Sequence, residues 1–215
     1  PRLAIVLLVI AYTAAVLAAD PLGMQNDGWF INWRMLIVHW GSADLFKFTL
    51  WFLIPFLFCL RKMEWGWFGI RRWRRSDGWL LGGLVALSVV VMLAIPLFHS
   101  LRTYYPSHGT LSASLKISLL GRELAWVFSW LLGWEFLHRY VLLRAVSRRW
   151  QHYGWLLVPL SETLYHLQKP ALEALGMLAL SLLLTAWTLR RKNVLLPFLA
   201  HLAIELSLIA FQLLV

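Results

Sequence analysis

Seven ionisable residues stand inside apolar stretches where charge is costly: Glu135, His138 and Arg139, then Glu162 and His166, then His201 and Glu205. Titratable groups kept in hydrocarbon need a partner or a task. Spacing of four residues puts side chains on one face of a helix, so Glu135 can meet Arg139, Glu162 can meet His166 and His201 can meet Glu205. An arginine beside a buried carboxylate keeps it ionised. Next to a histidine, such a carboxylate can take a proton from water. A histidine from another helix can donate to the oxyanion that forms on a scissile carbonyl. Peptide hydrolysis needs these parts.

Depth ties the three groups together. With a helical rise of about 1.5 Å per residue, Glu135 lies roughly 13 Å from the edge marked by Arg144, His166 roughly 18 Å beyond Gly154, and His201 roughly 12 Å beyond Asn193. An acid and two imidazoles from three helices therefore reach nearly one level, and a shared polar cavity explains this economically. Plainer readings use the same residues. Glu–Arg and Glu–His pairs lock helices together in bundle interiors. Carboxylates and imidazoles also bind metals in helical bundles, although no HExxH stretch and no second Glu-x-x-His stretch occurs here. Intramembrane carboxylates and histidines relay protons in transporters. His138 is expected to face a neighbouring helix or the Glu135 cluster. Arg122, Glu123, Lys169 and Glu173 are expected at an interface, and His39, His99, His108 and His152 in loops.

The elements that must carry these residues are membrane helices. The chain has 215 residues, 60% of them hydrophobic and 14% charged, too little polar surface for a soluble domain of that size. Seven apolar stretches are long enough to be considered spans: residues 3–19, 45–60, 78–98, 123–146, 155–167, 171–189 and 193–215, the fifth being short. The first is read as a span rather than a cleaved signal because so many hydrophobic segments follow it. Pro106, Pro159, Pro170 and Pro197 mark loops or first turns, while Pro55 and Pro96 fall near span ends and can kink them. Residues 111–120 read as an interfacial helix or an extension into the fourth span.

Net charge is +10, with the positive residues clustered between apolar stretches, a pattern of loops facing anionic lipid and not of a nucleic-acid partner. Arg61, Lys62, Arg71, Arg72, Arg74 and Arg75, then Arg144, Arg148 and Arg149, then Arg190, Arg191 and Lys192 fall in alternate loops. The other loops hold Arg34 and Lys47, Arg102 and Lys116, and Lys169. That alternation predicts an all-α, polytopic bundle of about seven spans with a cytoplasmic N-terminus. Fourteen tryptophans suit its interfaces. The lone Cys59 excludes an intrachain disulfide and a cysteine-based metal site.

Three stretches in order carry a family resemblance: Trp134-Glu135-Phe136-Leu137-His138-Arg139, Glu162-Thr163-Leu164-Tyr165-His166 and His201-Leu202-Ala203-Ile204-Glu205. They are similar to the EExxxR, FxxxH and HxxxN motifs of the CAAX-protease and bacteriocin-processing (CPBP) intramembrane proteases. Phe68-Gly69-Ile70-Arg71-Arg72 also looks like that family's lead-in to a span. The resemblance covers about residues 67–215 of one integral membrane domain spanning residues 1–215. It implies a multi-pass glutamic-type endopeptidase of the cell membrane that uses no metal or other cofactor and cuts a membrane protein or peptide. Glu135 and His166 would activate water and His201 would help bind the oxyanion, with Arg139, Glu205, Glu162 and His138 supporting. Three positions depart from the pattern. Trp134 replaces the first glutamate, often credited with the base role; Glu162 replaces the phenylalanine; Glu205 stands at the asparagine position, where it could donate a hydrogen bond only if protonated. The tryptophan favours an alternative of a different class, a non-catalytic scaffold or bacteriocin-immunity protein that keeps the fold.

Overall fold

A computed structural model describes residues 2–25 and 43–215; Arg34 and His39 lie outside the described residues. Among them every regular element is helical, as the apolar stretches predict. Helix α1 is Leu3–Gln25, α2 covers 45–59, α3 is Arg75–Ala94 and α4 is the short His99–Tyr104. A single long helix, α5, covers 113–149, followed by α6 at Leu157–His166, α7 at Ala171–Arg191 and α8 at Leu195–Leu214.

Four described segments are long and apolar enough to cross a membrane: Leu3–Pro21, Arg75–Leu97, Ala171–Arg191 and Leu195–Leu214. The remaining expected spans differ for physical reasons. The fifth, α6, has ten residues and rises about 15 Å, half a hydrocarbon core of about 30 Å. It packs against α7 as one arm of a hairpin. In α2, a π-helical stretch at Phe48–Leu53 runs directly into Pro55, whose missing N–H disrupts the regular ladder. Of the two readings of residues 111–120, the extension holds: residues 113–120 continue into α5 without a break. Its charged residues, among them Arg122, Glu123, Glu135, Arg139 and Arg144, make it a poor purely apolar span.

Those charges are tolerable because α5 is the central helix. Residues 133–140 are buried on every side. Val6 of α1 packs with Leu142, Leu143 and Val146, Trp51 of α2 with Trp134 and Leu137, and Ile209 and Leu213 of α8 with Val127 and Leu131. Gly133 permits the closest of these crossings: a Cβ there would lie 2.8 Å from Trp51 Cβ and 3.1 Å from the Phe52 backbone nitrogen. Proline positions follow the expected pattern. Pro159 and Pro197 sit in first turns, Pro170 precedes α7, and Pro96 lies in the 3-10 turn that ends α3.

The register of α7 and α8, which matters most for the site, is set by their short connection. Lys192 ends α7 in the left-handed region (φ 48°). Asn193 then starts α8, its Oδ1 accepting from Leu196 N–H at 3.1 Å, which supplies one of the orphan donors of a helix start. Val194 N–H donates to the Trp67 carbonyl at 2.7 Å, tying the turn to the loop before α3. Asp77 at the start of α3 accepts from Trp187 Nε1 and Arg191 Nε, both at 2.8 Å. Arg191 is thus turned inward and buried, unlike the headgroup-facing side chain expected of a loop arginine.

Candidate active site

A second π-helical stretch, Phe136–Leu142, begins immediately after Glu135. The wider turn changes which side chains share a face, and it lies where His138 and Arg139 turn inward. Arg139 is fully buried and forms its close ion pair with Glu162 of α6 through Nη1. Its contact with Glu135 is longer, 3.7 Å from Nε to Oε2. Glu162 also accepts from Ser181 Oγ on α7. One buried carboxylate thereby joins α5, α6 and α7. His138 gives Nδ1–H to the Trp134 carbonyl at 2.9 Å and lies 3.7 Å from Glu162, facing the neighbouring helix and the cluster as expected.

Glu135 makes its short contact across to α8, with its Oε1 2.8 Å from His201 Nδ1. Equal depth, estimated from helical rise alone, is what this contact requires. A hydrogen bond there leaves His201 Nε2 as the nitrogen presented outward, 3.7 Å from Glu205 Oε1. The Trp130 ring packs edge-on to the imidazole, centroids 5.7 Å apart. Glu135 also lines a cavity of about 280 Å³ between α2, α5 and α8, with Phe52, Phe56, Phe68, Phe136 and Phe198 in its wall. It is the cavity's one charged lining residue.

His166 sits apart from this pair. Its Nδ1 bonds to the Glu162 carbonyl at 2.8 Å, so the expected Glu162–His166 partnership runs through backbone and not through the carboxylate. No hydrogen bond reaches His166 Nε2 among the described residues. Among the described residues no hydrogen bond or ion pair joins His166 to Glu135 or His201. The side chain nearest His166 from the first motif is Trp134, whose ring centroid lies 5.6 Å from the imidazole and 5.2 Å from that of Tyr165. Glu135 is therefore engaged by His201, while the indole occupies the space beside His166.

Residues that the motif spacing did not single out complete the surroundings. Ser181 was invisible as a lone serine in an apolar helix, although its ten-residue distance from Arg191 put it at the right depth. Lys169 and Glu173, expected as plain interfacial residues, form a part-buried ion pair at 2.6 Å. Tyr105 donates to Glu173 at 2.8 Å. Burial and the Glu173 charge push the Tyr105 phenol up, so it stays a donor. No three His, Cys, Asp or Glu side chains among the described residues converge closely enough to hold a metal ion.

Residues 124–207 match the family model described as "Type II CAAX prenyl endopeptidase Rce1-like". The suspected CPBP resemblance is borne out over that stretch. It takes in Glu135, Glu162, His166, His201 and Glu205 together, and excludes α1 to α4, whose apolar sequence is generic. No curated protein and no solved structure matches the chain. With its apolar helices and this Rce1-like stretch, the protein is a multi-pass membrane protein.

Proposed function

We propose that the chain is an intramembrane endopeptidase that hydrolyses a peptide bond of a membrane-associated protein or peptide, in the cell membrane and with its N-terminus cytoplasmic. The observation that carries this reading is the Glu135–His201 contact at 2.8 Å, between two helices of the Rce1-like stretch. Glu135 orients His201, as a buried carboxylate fixes an imidazole in hydrolytic triads. Protonated, His201 donates Nε2–H to the oxyanion on the scissile carbonyl. His166, its Nδ1–H given to the Glu162 carbonyl, accepts a hydrogen bond from the attacking water at Nε2. Arg139, Glu162 and His138 hold the helices that present these groups. The matched family's name points to prenylated C-terminal tails, and the aromatic-walled cavity beside Glu135 suits a large apolar group of the substrate.

The test is cleavage of membrane-anchored peptides by the purified protein in proteoliposomes. His201→Ala is expected to lower turnover about 10²- to 10³-fold and His166→Ala by at least about 10²-fold, each with an unfolding midpoint close to that of the unmutated protein. Undiminished cleavage by either variant removes that imidazole from the mechanism.

One observation favours the scaffold reading. The Trp134 indole is buried against His138, with centroids 4.4 Å apart, and against His166. An apolar ring thus stands where a hydrolase of this pattern would have a second carboxylate. A scaffold keeps its phenotype in both histidine variants.

A further inference from the structure

Four carboxylates surround the two imidazoles, and three of them are already engaged. Glu135 is bonded to His201. Glu162 is fully buried against Arg139 and Ser181. Glu173 accepts from Tyr105 at 2.8 Å and Lys169 at 2.6 Å. Glu205 differs in its partners. No hydrogen bond reaches it from the described residues, and its side chain, like that of Glu173, keeps 20% of its surface exposed. It stands one turn beyond His201 on α8, with Oε1 3.7 Å from His201 Nε2. That separation is too long for a hydrogen bond, yet it lets one small molecule bond to both groups. The Lys169–Glu173 pair lies within electrostatic reach of Glu205 and also of His166. Glu205 and His166 therefore share charged neighbours, although Glu135 and His166 share no contact.

We propose that Glu205 is the general base of the peptidase, an assignment that rests on the endopeptidase reading. Its carboxylate takes a proton from a water held between Glu205 and the imidazoles. The water oxygen forms a bond to the scissile carbonyl carbon, and the carbonyl π pair moves to oxygen, where His201 Nε2–H receives it. When the tetrahedral intermediate collapses, the C–N bond breaks and the amine leaves with the proton held by Glu205. Water has then supplied hydroxyl to the acyl product and hydrogen to the amine. The carboxylate needed for this chemistry comes from α8, so an indole at position 134 is compatible with turnover.

Glu205→Gln, Glu205→Asp and unmutated protein are compared in proteoliposomes with a membrane-anchored peptide that the unmutated protein cleaves. Glu205→Gln should lower kcat about 100-fold or more, with KM within about twofold and an unchanged unfolding midpoint, and Glu205→Asp should recover part of the loss. If Glu205 instead served as a neutral hydrogen-bond donor, the amide would keep turnover, and an active Glu205→Gln overturns the proposal. A second measurement needs no substrate. Dicyclohexylcarbodiimide, which modifies reachable carboxyls in apolar surroundings, should label Glu205 and spare Glu135 and Glu162 on peptide mapping. Labelling of Glu135 with none at Glu205 overturns the assignment. An unmutated protein that cleaves no peptide overturns the endopeptidase reading itself, whereas a cleaving protein with an active Glu205→Gln overturns only the role of Glu205.

Discussion

Two clusters of the polar interior use the same residue types in opposite ways. Around Arg139, every group is closed in: Arg139, His138, Glu162 and Ser181 are fully buried, and the carboxylate is met by a guanidinium and a hydroxyl. Around His201, the groups are engaged on one side only. His201 gives one nitrogen to Glu135 and turns the other toward Glu205, His166 Nε2 has no hydrogen bond among the described residues, and Glu205 is partly exposed. The first cluster fastens α5, α6 and α7 to one another. The second holds His201 between Glu135 and Glu205. Burial and partners, more than residue type, distinguish the two clusters. Closure of the first cluster is still imperfect, since Arg139 Nε and Nη2 and His138 Nε2 are buried with no hydrogen bond from the described residues.

The largest effect should come from opening the closed cluster. Arg139→Leu leaves Glu162 and Glu135 buried without their cation, a change that costs about 3–5 kcal/mol when one partner of a buried pair is removed. Thermal unfolding in detergent should show that loss, and Arg139→Leu combined with Glu162→Leu should regain part of it. A single variant as stable as the parent would mean that the pair does not hold the helices. Ser181→Ala should follow, costing about 1–3 kcal/mol for a buried acceptor deprived of its donor, with kcat of the surviving folded protein unchanged. His166→Ala should do the reverse, cutting turnover and sparing stability. If Ser181→Ala were instead to abolish turnover at full stability, the division between the clusters would fail.

Much of this division was legible in residue types and spacing, and the illegible part has a definite cause. Helical rise alone put Glu135 and His201 at one level, and they touch. Pairing was harder. The four-residue rule paired Glu135 with Arg139, yet Arg139 makes its close contact with Glu162, because that rule assumes α geometry and the helix is π-wound from Phe136 to Leu142. No periodic pattern announces such a turn. Glu162 was expected to meet His166 through its carboxylate, but its backbone carbonyl takes that place while the carboxylate faces Arg139. The shortness of the fifth apolar stretch was legible in its length, and its helix α6 is shorter still, at ten residues. Arg191 belongs to a positive cluster by sequence, and only the fold reveals that Asp77 of α3 draws it inward.

A third ion cluster tests how far burial governs the contrast. Glu64, in the loop between α2 and α3, meets Arg144 and Arg148 at the end of α5 and accepts from Trp67 Nε1 at 3.0 Å. Like the Arg139 cluster it pairs carboxylate with guanidinium, here one carboxylate between two arginines, but its side chain is 46% exposed. Burial pushes the Glu64 carboxyl up, and the Arg148 hydrogen bond, the Arg144 charge and the Trp67 indole together outweigh it, holding the group below the usual carboxylate range. A carboxyl lowered in the folded state stabilises the fold at pH above its unfolded value, about 4.3. That contribution is lost as pH falls through the lowered folded value. Water and salt screen an exposed pair, so Glu64→Gln should cost less than about 1 kcal/mol at neutral pH. Unfolding midpoints measured from neutral pH downward should show the parent's small advantage over Glu64→Gln shrinking below about pH 4 and weakening in high salt at neutral pH. A cost as large as that of Arg139→Leu, insensitive to salt, would show that exposure does not decide what such a bridge is worth in this bundle.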